Sequence, residues 1–221
     1  MNKSASNATS NALPSSAPLT GGLARTASTE EFVPKLARLP WQQTLARIRA
    51  DHRRLVALLS RRQQRPLSSA FLHPSFVCVL LYRISNHLFR AGHPRLARLL
   101  WHLNFFVTGA DVDPLADVGE GLVILSPPGT ALMGTAGRNL TVMPCAGLGG
   151  AVGRYEDIGA GPGLPILGDD VVLEPHCGVL GPVRIGDRVR VGAGIGVTED
   201  VADDTIVEGP PPRFLRRRDL T

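Results

Sequence analysis

Between Val112 and Val201 an aliphatic or small residue returns at every sixth position with one interruption, a period that few folds tolerate. The first run is Val112, Val118, Ile124, Thr130, Ala136, Val142 and Leu148. The second is Leu167, Leu173, Val179, Ile185, Val191 and Val197. In the later run a second column follows four residues behind: Val171, Cys177, Val183, Val189, Ile195 and Val201. Gly, Asp, Pro and Arg fill the gaps, so each hexad reads as a short strand and a turn. Six residues cannot bury a hydrophobic face alone. Stacked hexads can, because each coil adds its strands to the coil below at ~4.8 Å and the inward columns merge into one core. A β-sandwich would show a period of two, and the density of Gly and Pro excludes an amphipathic helix. Three hexads per turn predict a triangular prism of about five coils. The phase breaks after Leu148, and 149–166 is expected as a loop protruding from the prism, the kind of insertion that carries function in a regular solenoid.

Upstream of the prism the pattern changes. Residues 1–29 are rich in Ser, Ala, Asn and Thr and are expected to be a disordered tail with no secretory signal, which points to the cytoplasm. Helices are predicted at Glu30–Leu39, at Trp41–Arg62 with Leu45, Ile48, Leu55, Leu58 and Leu59 on one face, from Pro74 to Ala91, and from Pro94 to Val107. Pro66 should end the second of these. The expected organisation is therefore a tail (1–29), an α-helical domain (30–109), a β-helix (110–208) and a C-terminal tail (209–221). The run "LLWHLNFFV" is too short for the ~20 residues of a bilayer span. It is expected to pack on the prism, a peripheral membrane contact being the other use of such a segment.

Cys78, Cys145 and Cys177 show no metal-binding or disulfide spacing, so neither a zinc site nor a disulfide framework is expected, and a reducing compartment is the natural setting. The net charge of +5 comes from arginine clusters outside the repeat, and no nucleic-acid reading motif accompanies them.

The segments "HPSFVCVLLYRISNHLFRAGHPRLARLL", "TGADVDPLADVGEGLVI", "LTVMPCAGLGG" and "VEGPPPR", in this order around the hexads, resemble bacterial serine acetyltransferases over about Leu72–Arg213. The resemblance implies a mainly β fold, a left-handed parallel β-helix with an N-terminal helical domain. It also implies homotrimers or dimers of trimers, and acetyl-CoA bound between neighbouring prisms. Acetyl transfer to a hydroxyl needs a base, normally a His held by a carboxylate, and donors for the oxyanion. The family's first Asp matches Asp111, but its Asp-His pair matches Leu125 and Ser126, and its loop Arg-His-Pro matches Gly163, Leu164 and Pro165. The carboxylate beside the catalytic His, which grips the amino acid, is thus replaced by Leu125.

The catalytic candidates are accordingly Asp111 as a direct base, Ser126 as a positioning hydroxyl, and His176, the one His inside the repeat, at a prism corner near the cofactor's path. Glu156 and Asp157 of the loop are further carboxylates, and an exposed turn residue is the plain alternative for His176. For the cofactor the candidates are Gly149, Gly150 and Ala193, where small side chains would let a pantetheine arm approach the backbone, and Pro175, which replaces a small residue in the same path. Prism corners use the same residues for shape alone. Glu174 places a negative charge near that path. Three functions are compatible with the sequence: an acetyl-CoA-dependent O-acetyltransferase acting on a non-serine acceptor such as a sugar in surface-polysaccharide assembly, a serine O-acetyltransferase, and a non-catalytic trimeric scaffold.

Overall fold

The computed structural model describes residues 36–63 and 70–210. The predicted tail 1–29, Pro66 and nearly all of the C-terminal tail lie outside them. Residues 36–40 are not helical, which corrects the predicted Glu30–Leu39 helix where it can be seen. The reason is Pro40, whose ring disfavours helical geometry at Leu39. Helix α1 starts just after that proline, spans Trp41–Gln63, and uses the Pro40 carbonyl to accept from the Gln43 and Thr44 amides at 2.9 and 3.2 Å. A 3-10 turn at Ala70–Leu72 leads into α2 (Pro74–Arg90) and α3 (Pro94–Thr108), both opened by proline as expected. Gly109, left-handed at φ +72°, caps α3 through its amide to the Phe105 carbonyl (2.9 Å). No helix of the described residues is long and apolar enough to cross a membrane.

The chain then coils. The first coil holds β1 (Asp111–Val112), β2 (Asp117–Val118) and β3 (Val123–Ile124), and the second holds β4 (Ala131–Leu132), β5 (Thr135–Ala136) and β6 (Thr141–Val142). The third holds β7 (Gly147–Gly149), β8 (Ile166–Leu167) and β9 (Val172–Leu173), and the fourth β10 (Gly178–Leu180), β11 (Arg184–Ile185) and β12 (Arg190–Val191). A last coil carries β13 (Gly196–Val197), a bridge at Val201 and β14 (Ile206–Val207). All pairings between these strands are parallel, and the strands stack into three sheets ordered β1-β4-β7-β10-β13, β2-β5-β8-β11 and β3-β6-β9-β12-β14. This is the predicted three-sided prism of about five coils.

Both inward columns are buried apart from Ile195 and Val201 in the last coil, which are partly buried. Val112, Val118, Ile124, Val142, Leu173, Val179 and Val191 are fully enclosed, with Val171, Cys177, Val183 and Val189 behind them. The register corrects the predicted column at one place. Val112 pairs with Leu132, so Leu132 and not Thr130 fills the core on β4. The turn 125–130, holding Pro127, Pro128 and Gly129, takes two extra residues, and the next turn, Met133–Gly134, gives two back. That short turn depends on Gly134: its φ is +114°, and a Cβ there would lie 2.6 Å from the Pro165 carbonyl oxygen. Thr130 is buried instead as a polar group, its hydroxyl donating to the Ser126 carbonyl (3.2 Å).

The Asp residues between the columns also have a structural use. On the edge between the second and third sheets, Asp187 Oδ1 accepts from the Asp169 amide (2.7 Å) and Asp203 Oδ1 from the Asp187 amide (2.9 Å). Each carboxylate thus satisfies an amide of the coil beneath it.

The helices close the first coils through a buried ion pair that the hydrophobic pattern of α1 does not disclose. Asp51 and Arg83, 1% and 2% exposed, meet at 2.8 Å. Arg83 also donates to the carbonyls of Val118 and Gly119, each at 2.6 Å, and the Leu122 amide donates to Asp51 Oδ1 at 2.8 Å. Leu55, Leu59, Phe76 and Val123 form a small apolar cluster beside this clamp.

Candidate active site

Strand alternation places Asp111 and Asp113 on the same outer face of the first coil, two residues apart. The Trp101 indole of α3 donates to Asp111 Oδ1 at 2.8 Å and fixes that carboxylate. Asp113 Oδ1 accepts from the Leu115 amide at 2.8 Å. Asp113 lines a 190 Å³ cavity with Arg98, Trp101 and Phe89. Burial raises the Asp113 carboxyl above the ordinary carboxylate range. The Leu115 amide opposes that rise, the Asp111 charge adds to it, and Arg98 works against it. Sequence reasoning selected Asp111 and passed over Asp113, Trp101 and Arg98. The available signal was the spacing: in "DVDP", alternation aims both carboxylates outward together.

Ser126 follows β3 at the edge between the third and first sheets. Its carbonyl receives Thr130, whose own carbonyl accepts from the Asp111 amide (2.8 Å), so Ser126 and Asp111 lie in backbones joined through one residue. His176 occupies the same edge two coils further on. It is an exposed turn residue at φ +60°, its amide donating to Pro144 (3.0 Å), with Cys145 on the intervening coil. Two coil rises separate it from Ser126 by ~10 Å. Within one chain His176 therefore does not meet Ser126 or Asp111, while Asp111 and Asp113 do come together with Trp101.

The loop between β7 and β8 spans residues 150–165, and Gly149 and Ile166, the ends of the expected loop, belong to strands. It is pinned by Arg154, which donates to the Thr198 carbonyl (2.6 Å), and by Arg184, which donates to the Ile158 carbonyl (2.8 Å). Asp157 accepts from the amides of Gly159 (2.8 Å) and Gly161 (3.0 Å), a loop-shaping task, and Glu156 is exposed. Gly163 is at φ +71°, with only 2.3 Å between an added Cβ and the Arg154 carbonyl oxygen, so no side chain fits there.

Gly149 and Gly150 have open space in front of them. An added Cβ meets nothing within 4 Å at Gly149 and nothing nearer than 3.7 Å at Gly150. Packing within the chain does not require glycine at either place, in contrast to Gly147, where the Ala131 carbonyl oxygen would stand 2.5 Å away. Pro175 is half-buried and its carbonyl accepts from Gly194 (3.0 Å). Ala193 is exposed, but its amide already donates to Glu174 Oε2 (3.1 Å). Glu174 is moreover paired with Arg190, whose Nε donates at 2.6 Å. The charge expected to oppose an anionic cofactor is thus compensated inside the chain. No group of three or more candidate metal ligands occurs among the described residues.

No family profile matches the chain. Curated relatives do. The serine acetyltransferase of Synechococcus elongatus is 33% identical over 147 residues, 66% of this chain and 58% of its own length. That of Helicobacter pylori is 32% identical over 148 residues, covering 84% of its length. The chain belongs to the serine acetyltransferase family. It spans less than two thirds of the cyanobacterial relative. Among solved structures, serine acetyltransferase of Neisseria gonorrhoeae superposes with a TM-score of 0.67 at 27% identity, covering 77% of this chain and 66% of that one. The soybean enzyme complexed with serine gives 0.65 at 26% identity, over 79% and 70%. The prism is accordingly the left-handed parallel β-helix of that family, preceded by its helical domain.

Proposed function

We propose that this protein transfers the acetyl group of acetyl-CoA to the hydroxyl of serine, with the Asp111–Asp113 pair in place of the histidine base. The observation that carries the reading is the pair of carboxylates formed by Asp111 on β1 and Asp113 just after it, the second lining a cavity of amino-acid size and raised by burial. The names of the relatives favour serine over the sugar acceptor expected from the sequence. No observation supports a polysaccharide substrate.

In this reading a carboxylate of the pair takes the proton of the acceptor hydroxyl as its oxygen attacks the thioester carbonyl carbon. The carbon–sulfur bond then breaks and the thiolate leaves with a proton as free CoA. An unperturbed carboxylate is a weak base for a hydroxyl, and a raised one is better matched to neutral pH. Trp101 holds Asp111 in place and Ser126 offers a hydroxyl toward the acceptor. The open backbone at Gly149 and Gly150 suits the pantetheine arm, with Pro175, His176 and Ala193 along the neighbouring edge.

Calorimetric titration with acetyl-CoA should give micromolar binding, about 8 kcal/mol, and thiol release should require serine. Gly149→Val should leave stability within about 0.5 kcal/mol of the parent, because its added atoms enter open space, and should weaken acetyl-CoA at least tenfold. Absence of binding would refute the reading.

A second reading is favoured by one specific observation, Ser126 in the place of the family's base: a trimeric scaffold that forms without turnover. In both readings further copies of the chain cover the apolar face of α3, where Leu99 and Phe106 are 65% and 89% exposed. Light scattering should return three times the chain mass, or six. A monomer would contradict both.

A further inference from the structure

A second cleft lies on another edge of the prism, between α1 and the turn that joins β2 to β3. It has a volume of 490 Å³ and is lined by Arg49, His52, Arg53, Phe71, Phe76 and Glu120, among others. A 340 Å³ hollow adjoins it, sharing Ala46 and Glu120 and adding Arg47 and Arg138. None of these residues belongs to the acetyl-transfer reading above.

The cations of the two hollows differ in what they are tied to. Arg47 faces Asp117 at 3.4 Å and Arg138 faces Asp169 at 2.7 Å. Arg49 and Arg53 make no ion pair among the described residues. They stand four residues apart on α1, on one face, and present two guanidinium forks to the same cleft. Fork geometry and permanent charge suit arginine to the oxygens of a phosphate.

The cleft's floor is aromatic. The His52 ring stacks on Phe71 with centroids 4.2 Å apart and planes 16° from parallel, and meets Phe76 edge-on at 4.9 Å. His52 Nε2 is buried and has no hydrogen-bond partner among the described residues. Phe71 is 63% exposed, a large apolar ring left facing solvent. A planar ring laid on it would extend the stack and cover that surface. Glu120 forms another part of the lining and can accept from ligand hydroxyls.

Two guanidinium groups without an ion pair among the described residues, an open aromatic stack and an acid acceptor, in a cleft within the 300–1,000 Å³ range of small-molecule sites, fit a phosphate joined to a flat ring through a hydroxylated spacer. We propose that this cleft binds a nucleoside monophosphate, independently of acetyl-CoA.

The test is calorimetry on the full chain with AMP, GMP, CMP and UMP, with adenosine and inorganic phosphate as partial ligands. At least one nucleotide should bind, with adenosine and phosphate each at least tenfold weaker. In the double variant Arg49→Ala/Arg53→Ala, whose side chains are exposed and whose fold circular dichroism can check, nucleotide affinity should fall at least tenfold while acetyl-CoA affinity is unchanged. Binding by none of the four nucleotides would overturn the proposal. So would phosphate binding as tightly as the nucleotide, or nucleotide binding that survives the double variant. A parallel loss of acetyl-CoA affinity would overturn the independence of the cleft. Failure of acetyl-CoA to bind the parent protein would leave the nucleotide result readable by itself.

Discussion

Arg83→Met should lower the stability of this protein by about 3–5 kcal/mol, the range for breaking a buried ion pair, as measured by urea unfolding at neutral pH. The size follows from what the guanidinium holds. It neutralises Asp51 where neither group reaches water, and it satisfies the Val118 and Gly119 carbonyls at the corner of the first coil. Methionine fills much of the volume but leaves Asp51 without its counter-charge and the Gly119 carbonyl without its side-chain donor, while the Val118 carbonyl keeps only Arg47 at 3.3 Å. Adding Asp51→Leu should restore part of the loss by removing the stranded charge, while the Leu122 amide, which donates to Asp51, is then unpaired. A cost below about 1 kcal/mol for the single change would mean that water reaches the pair and that the clamp does not hold the helices on the prism.

Asp113→Asn should reduce serine-dependent thiol release by about 10²–10⁴-fold, the usual worth of a general base, without loss of stability. The sign of the stability effect follows from burial. Desolvation raises the folded-state pKa of Asp113, so the stability contributed by its neutral form is present below the unfolded pKa and is lost as pH rises through the folded one. At neutral pH the wild-type carboxylate carries that cost. Asparagine does not, and its side-chain oxygen still accepts from the Leu115 amide. The variant should therefore be as stable as the parent at pH 7, or more so. Catalysis runs the other way with pH in the parent, falling as acid protonates the raised carboxyl. Full activity in Asp113→Asn would move the base elsewhere, and Asp111→Asn would then be the variant to assay.

These two residues mark where sequence reading reached and where it stopped. The hexad period placed Val118, Ile124, Leu173 and Val191 in one core, because a coil of three six-residue steps has only one inward side for them. It failed at Thr130, since a long corner followed by a short one cancels over a full coil and leaves the period intact. The helix faces were legible from Leu55 and Leu59, but Asp51 and Arg83 were not: a charge on an amphipathic helix reads as solvated until the carbonyls that receive it are known. The loop 149–166 was legible as a break in phase, whereas its pinning by Arg154 and Arg184 to Thr198 and Ile158 depends on chain segments far along the sequence.

The candidate site divides in the same way. The sequence located Asp111, Ser126 and His176 on the repeat, and their order along the chain sets which edge each occupies. It gave no distance between Ser126 and His176, which is decided by how many coils intervene. It did not show that Glu174 is neutralised by Arg190, that Gly149 faces open space while Gly147 faces a carbonyl, or that Asp113 is desolvated. By itself, then, the sequence determined the prism, the three helices from Trp41 onward and the family, because periodicity and local punctuation act between residues close along the chain. Tertiary structure alone decided which charges are paired, which glycines are free and which carboxyl is raised, because those properties depend on groups that only coiling brings within a few ångströms.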